Sequence, residues 1–138
     1  MIPFEFLEHT ADIGLRAYGK SLEEAFENAA RGMFSIMVDL SNIALAQQVE
    51  VKAEAGDVGG LLVAWLNELL FLFDSKNMLF GDFSIDEWDK ETHLKASAHG
   101  EPVDLEKHHF ETEIKACTYH ELKVSKNKIW TCQVIFDV

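Results

Sequence analysis

Two short segments hold the oxygen chemistry of this chain. One is Glu8-His9-Thr10-Ala11-Asp12, a polar connection between two alternating runs; the other is the chain end, Phe136-Asp137-Val138. The last run stays apolar almost to its final residue, so Asp137 and the terminal carboxylate of Val138 are expected to be tied to a sheet rather than frayed. If the first hairpin adjoins that strand, Asp12 meets them, and three clustered carboxylates repel one another unless a cation neutralises them. Hard oxygen donors without sulfur select Ca²⁺ or Mg²⁺ over zinc. If the two segments do not adjoin, Asp12 and Asp137 are ordinary solvated carboxylates. The sequence alone leaves both arrangements open.

Lys115 lies in Glu113-Ile114-Lys115-Ala116-Cys117-Thr118-Tyr119-His120 and shares strand parity with Cys117 and Tyr119. Such a lysine either pairs with a carboxylate of its own domain or engages a partner's anion. The six histidines (9, 93, 99, 108, 109 and 120) are dispersed. The adjacent pair His108-His109 diverges on a helix or a strand, so hydrogen-bonding roles are expected rather than a metal site. Cys117 and Cys132 sit in separate β-like runs without CxxC spacing. They read as reduced, partly buried thiols, in keeping with a reducing cytoplasm. No P-loop, GxGxxG, GxSxG or HExxH occurs. A metal-dependent hydrolase built on Asp12, Asp137 and the histidines is the weakest reading, because no nucleophile–base pair is recognisable.

These residues must be positioned by one domain spanning 1–138, the natural outcome for 138 residues that are 48% hydrophobic and 11% aromatic. Twelve Lys+Arg against 24 Asp+Glu give a formal net charge of −12. Strong direct nucleic-acid binding is therefore not expected, since phosphate affinity comes chiefly from Lys and Arg. A basic protein partner or a cation suits the sign better. The charge is uneven: residues 81–113 carry ten acids and three lysines, whereas 114–130 carry four lysines and one Glu. Met1 leads straight into Ile2-Pro3-Phe4 without a basic n-region, and the most apolar stretch, Leu61 to Phe73, is interrupted by Asn67 and Glu68. It reads as a buried helix rather than a bilayer span of about 20 residues, so no membrane association and a cytoplasmic location are expected.

Alternation predicts strands at 4–7, 13–18, 49–55, 79–88, 93–99, 114–124 and 129–136. Ser21-Leu22-Glu23-Glu24 is a capping box ahead of a helical stripe to Leu40, and Asp57 is an N-cap for a second helix running to about Asp74. A short helical turn is expected at Asp104 to His109, and a hairpin turn at Ser125–Lys128. The late run of strands argues against a doubly wound parallel sheet. The expected fold is α+β, two helices packed on a mixed, largely antiparallel sheet.

Phe4-Glu5-Phe6-Leu7-Glu8-His9-Thr10-Ala11-Asp12-Ile13-Gly14 resembles the N-terminal signature of the archeases. Ser21 to Ala30 resembles the helix that follows that signature. Lys115-Ala116-Cys117-Thr118-Tyr119-His120 is similar to the family's lysine-alanine, threonine-tyrosine-histidine segment, with Cys117 as a small departure, and Phe136-Asp137-Val138 resembles its end. Residues 41–60 and 74–100 carry least of the likeness. The resemblance implies the archease fold and a non-catalytic accessory role. Archeases activate the GTP-dependent tRNA-splicing RNA ligase, which joins a 2′,3′-cyclic or 3′-phosphate RNA end to a 5′-hydroxyl end. They promote guanylylation of the ligase histidine and multiple turnover. The resemblance also implies a divalent cation, Ca²⁺ in the first instance, on Asp12, Asp137 and Val138, with Lys115 and His9 as functional residues facing the partner. The alternative it leaves is a chaperone-like modulator of a tRNA methyltransferase or another RNA-modifying enzyme.

Overall fold

The computed structural model describes residues 1–8 and 11–138. Helix α1 (Leu22–Met37) starts where the capping residues place it: Ser21 Oγ accepts the Glu24 amide at 3.1 Å. The Glu24 carboxylate turns back to the Lys20 amide (3.3 Å), one residue before the reciprocal bond of a capping box. The helix stops short of Leu40 because Val38 is extended; Asp39 then caps a 3₁₀ turn at Leu40–Asn42. Helix α2 (Val58–Lys76) is capped by Asp57, which accepts the Gly60 amide at 2.7 Å. It ends at Asn77, whose left-handed backbone (φ 54°) lets its amide reach the Phe73 carbonyl. By length and composition α2 is apolar enough to cross a bilayer. Its Leu61, Leu62, Trp65, Leu66 and Leu69 are nonetheless fully buried inside the protein, which accounts for an apolar helix with no single wet face.

Seven strands form two separate sheets in which every pairing is antiparallel. The first, in the order β1 (Phe4–Glu8), β2 (Asp12–Gly19), β7 (Ile129–Asp137), β6 (Ala116–Asn127), joins the two ends of the chain. The second has the order β3 (Gln47–Glu54), β5 (His93–Pro102), β4 (Met78–Trp88). Each helix packs against strands of both sheets. Trp65 links the helices, its indole N–H donating to the Phe26 carbonyl at 3.0 Å. Leu15, Ala17, Cys132, Val134 and Phe136, every second residue of β2 and β7, face this core. The β6–β7 hairpin closes more tightly than its sequence suggests: Asn127 pairs with Ile129, and Lys128 takes the turn at φ 70°.

Polar side chains inside the apolar elements have structural duties. Asn67 interrupts the hydrophobic run of α2 because its amide group pairs with the edge of β6, accepting the Cys117 N–H (2.8 Å) and donating to the Cys117 carbonyl (3.0 Å). Strand β4 carries register shifts at Phe80/Asp82 and Ile85/Glu87. Two side chains one helical turn apart on α1 serve this irregular strand: Glu27 accepts the Ile85 amide, and Arg31 bonds Asp82 Oδ1 and the Phe83 carbonyl. Gly100 fits opposite the first shift, where a Cβ would run into the Leu79 carbonyl.

A candidate acidic strand-end site

Strand β2 begins at Asp12 and strand β7 finishes at Asp137, and the register sets these two residues directly opposite each other. Cross-strand partners share a face and typically hold their Cβ atoms about 5 Å apart. The position follows from the pleat: Ile13 pairs with Phe136, which is fully buried, so the core contacts of this pair pin the register one residue away. Asp12 is half-buried and Asp137 exposed. Val138 packs its side chain against the core and keeps the strand end in place. Lys115, just ahead of β6, donates its backbone N–H to the Asp137 carbonyl at 2.8 Å, so its exposed side chain starts beside the pair.

Four of the sequence-selected residues, Asp12, Asp137, Val138 and Lys115, are thus gathered at one end of the first sheet. The fifth, His9, lies outside the described residues. Among the described residues no ion pair within 4.0 Å engages Asp12 or Asp137. Nor do three His, Cys, Asp or Glu side chains converge on one point there. Two opposed carboxylates with Val138 beside them form an all-oxygen donor set. It fits a hard divalent ion that completes its shell with backbone oxygen or water, and it does not fit zinc. Like charges set directly opposite on a sheet are destabilising, and a cation would offset that.

The thiols stand apart from this chemistry. Cys117 and Cys132 are free and buried, and burial pushes both up to about 12, so neither is a thiolate at neutral pH. Among the histidines, the hydrogen-bonding role is clearest for His108. It is buried, accepts the Asp104 amide at Nδ1 (2.9 Å), and directs Nε2 at Glu101 and the Asn42 carbonyl (3.0 and 3.1 Å). Around the Thr118-Tyr119-His120 segment, β6 departs from its ladder between Thr118 and Lys123, which leaves Tyr119 and His120 exposed. Gln133 spans the gap, donating to the Glu121 carbonyl at 3.0 Å and accepting from Arg16. Alternation of residue types does not signal this break.

Residues 4–138 match the model of the Archease protein family (MTH1598/TM1083). The protein archease of Sulfurisphaera tokodaii is 43% identical over 139 residues, covering 100% of both chains. That of Sulfolobus acidocaldarius is 46% identical over 127 residues, covering 92% of this chain and 91% of its own. The solution structure of Methanobacterium thermoautotrophicum protein 1598 superposes with a TM-score of 0.77 at 39% identity, covering 99% of each chain. In sequence over its whole length and in the arrangement of its two helices on antiparallel sheets, the chain belongs to the archease family.

Proposed function

We propose that this protein is the non-catalytic activator of the GTP-dependent tRNA-splicing RNA ligase, acting through its Asp12–Asp137 strand end. The observation that carries the reading is the register that opposes the two aspartates without an ion-pair partner among the described residues. Asp12 and Asp137, with oxygen from Val138, would hold a divalent cation: the hardness of the donors suits Ca²⁺ or Mg²⁺, and the family resemblance favours Ca²⁺. Such an ion supplies positive charge beside a phosphate. The chain's own part is to hold the two carboxylates at a fixed spacing on a sheet, which places them more firmly than a loop would. Lys115, beside Asp137, is positioned to meet an anion of the partner, either phosphate or carboxylate. The edge would favour the ligase conformation competent for guanylylation, and it must bind that conformation more tightly than the idle one for any activation to follow. The net charge of −12 supports a protein rather than an RNA surface as the direct contact.

The test is guanylylation and multiple-turnover ligation by purified ligase, with wild-type protein, Asp12→Ala or Lys115→Ala added. The reading expects stimulation by the wild type and its loss with either variant. Full stimulation by Asp12→Ala would remove the strand-end mechanism. Protection of a tRNA methyltransferase from aggregation, without any effect on ligation, would favour the chaperone-like alternative.

A further inference from the structure

Between the His108 anchor and β6 the chain forms a strap across the end of the molecule where both helices finish. Three contacts fix it: the Glu111 amide donates to the Met37 carbonyl at the end of α1 (2.9 Å), Ile114 is buried in the core, and Lys115 donates to Asp137 (2.8 Å). Between these anchors the amides of Thr112 and Glu113 have no hydrogen-bond partner among the described residues. Hollows of about 520, 480 and 430 Å³ succeed one another along the strap and share lining residues, Glu111 and Thr112 between the first two, Phe73, Asp74 and Glu113 between the last two.

Their walls combine two properties rarely left together without a purpose. Phe6, Phe110 and Phe71 are 50%, 41% and 61% exposed, while Phe110 packs at a tilt against Phe73 (5.9 Å between ring centroids), which in turn meets the buried Phe34 edge-on (6.4 Å). Phe110 is therefore anchored to the core rather than loose. The described charged residues lining the hollows are Asp12, Asp74, Glu111 and Glu113 against Lys115 alone. The carboxyl-terminal ends of α1 and α2 add the negative poles of their dipoles to the same region.

We propose that the strap docks a strand-like segment of a partner protein that bears Lys or Arg among apolar side chains. Its backbone pairs with the strap at Thr112 or Glu113, its apolar groups enter the hollows beside Phe6, Phe71 and Phe110, and its basic groups meet Asp74, Glu111 and Glu113. Unpaired peptide groups supply affinity in this mode of recognition, and flanking pockets supply selectivity. The strap begins beside Asp12 and ends at Lys115, so a partner gripped here is brought to the strand-end pair. The identity of the partner as the ligase rests on the proposed function; the chemistry of the docked segment does not.

Hydrogen exchange of the full chain with purified ligase, run beside a titrated guanylylation assay, tests this. At least one of the Thr112 and Glu113 amides is expected to slow by at least about tenfold in the complex. The Phe71→Ser/Phe110→Ser double variant, with its melting temperature checked, is expected to raise the half-maximal activating concentration by about tenfold while leaving the plateau. Raising salt from 0.05 to 0.5 M is expected to weaken association of the wild type. Stimulation without protection at the strap, or an unchanged half-maximal concentration in the variant, overturns the inference and leaves the proposed function standing. Protection without stimulation supports the strap and removes the proposed function. Self-association of the wild type, abolished by the double variant, would assign the groove to a second copy and overturn the inference.

Discussion

Two acidic regions of this protein make opposite use of their charge. At the seam between α1 and β4, Glu27 accepts the Ile85 amide (2.9 Å), and Arg31 binds Asp82 (2.6 Å) together with Asn28 Oδ1 (2.8 Å). Asn28 donates in turn to the Tyr18 carbonyl (2.7 Å). Burial raises Glu27 above its ordinary range. Burial would raise Asp82 as well, but the hydrogen bond from Arg31 and its positive charge bring it below. At the strand end, Asp12 and Asp137 face each other across a ladder with no ion pair to either among the described residues. Charge at the seam completes an irregular strand and serves the fold. Charge at the strand end has no such partner among the described residues, and the proposed cation would offset it.

Mutations break this comparison in order of expected effect. Asp12→Asn or Asp137→Asn is expected to reduce stimulation of ligase guanylylation on the order of 100-fold, near the upper range for coupling between sites, as read from single-turnover rates. Arg31→Ala is expected to cost about 1–2 kcal/mol in a urea titration, because it leaves Asp82, Asn28 and the Phe83 carbonyl without their donor, and to leave stimulation intact. Asp12→Asn has the opposite sign on stability: in EDTA it is expected to raise unfolding free energy by about 0.5 kcal/mol, since directly opposed like charges destabilise a sheet. A loss of stability in EDTA would show that Asp12 has a structural partner and would end the contrast.

The smallest effect concerns pH. The ion pair with Lys107 and the hydrogen bond from the Ala44 amide hold Glu101 down to about 2, from an ordinary value of 4.5. A depressed carboxyl stabilises above its unfolded value and loses that contribution as pH falls through the folded one. Melting temperature should therefore decline between pH 4.5 and 2, and Lys107→Ala should flatten part of that decline.

What could be read from the chain without coordinates was mostly local. Ser21 and Asp57 announce their helices because a capping side chain acts within three residues. The end of α1 was less legible: the apolar stripe continues to Leu40, yet Val38 leaves the helix and Asp39 starts a separate turn. Division of the strands into two sheets depends on contacts distant in sequence, which periodicity does not carry. Periodicity predicts a turn at Asp104 to His109 and a strand from Ile114; the turn at Asp104 forms, but the strand starts only at Ala116, and the stretch between is held by His108 and Met37. The meeting of Asp12 with Asp137 was open on residue types alone. It follows once β2 and β7 are neighbours, because the buried Phe136 fixes the register.

Calorimetric titration of Ca²⁺ into the metal-stripped protein decides whether the opposed aspartates form a cation site. One saturable site is expected in the wild type, lost in both Asp12→Asn and Asp137→Asn. An absence of binding by the wild type at millimolar Ca²⁺, or equal binding by the two variants, would contradict it.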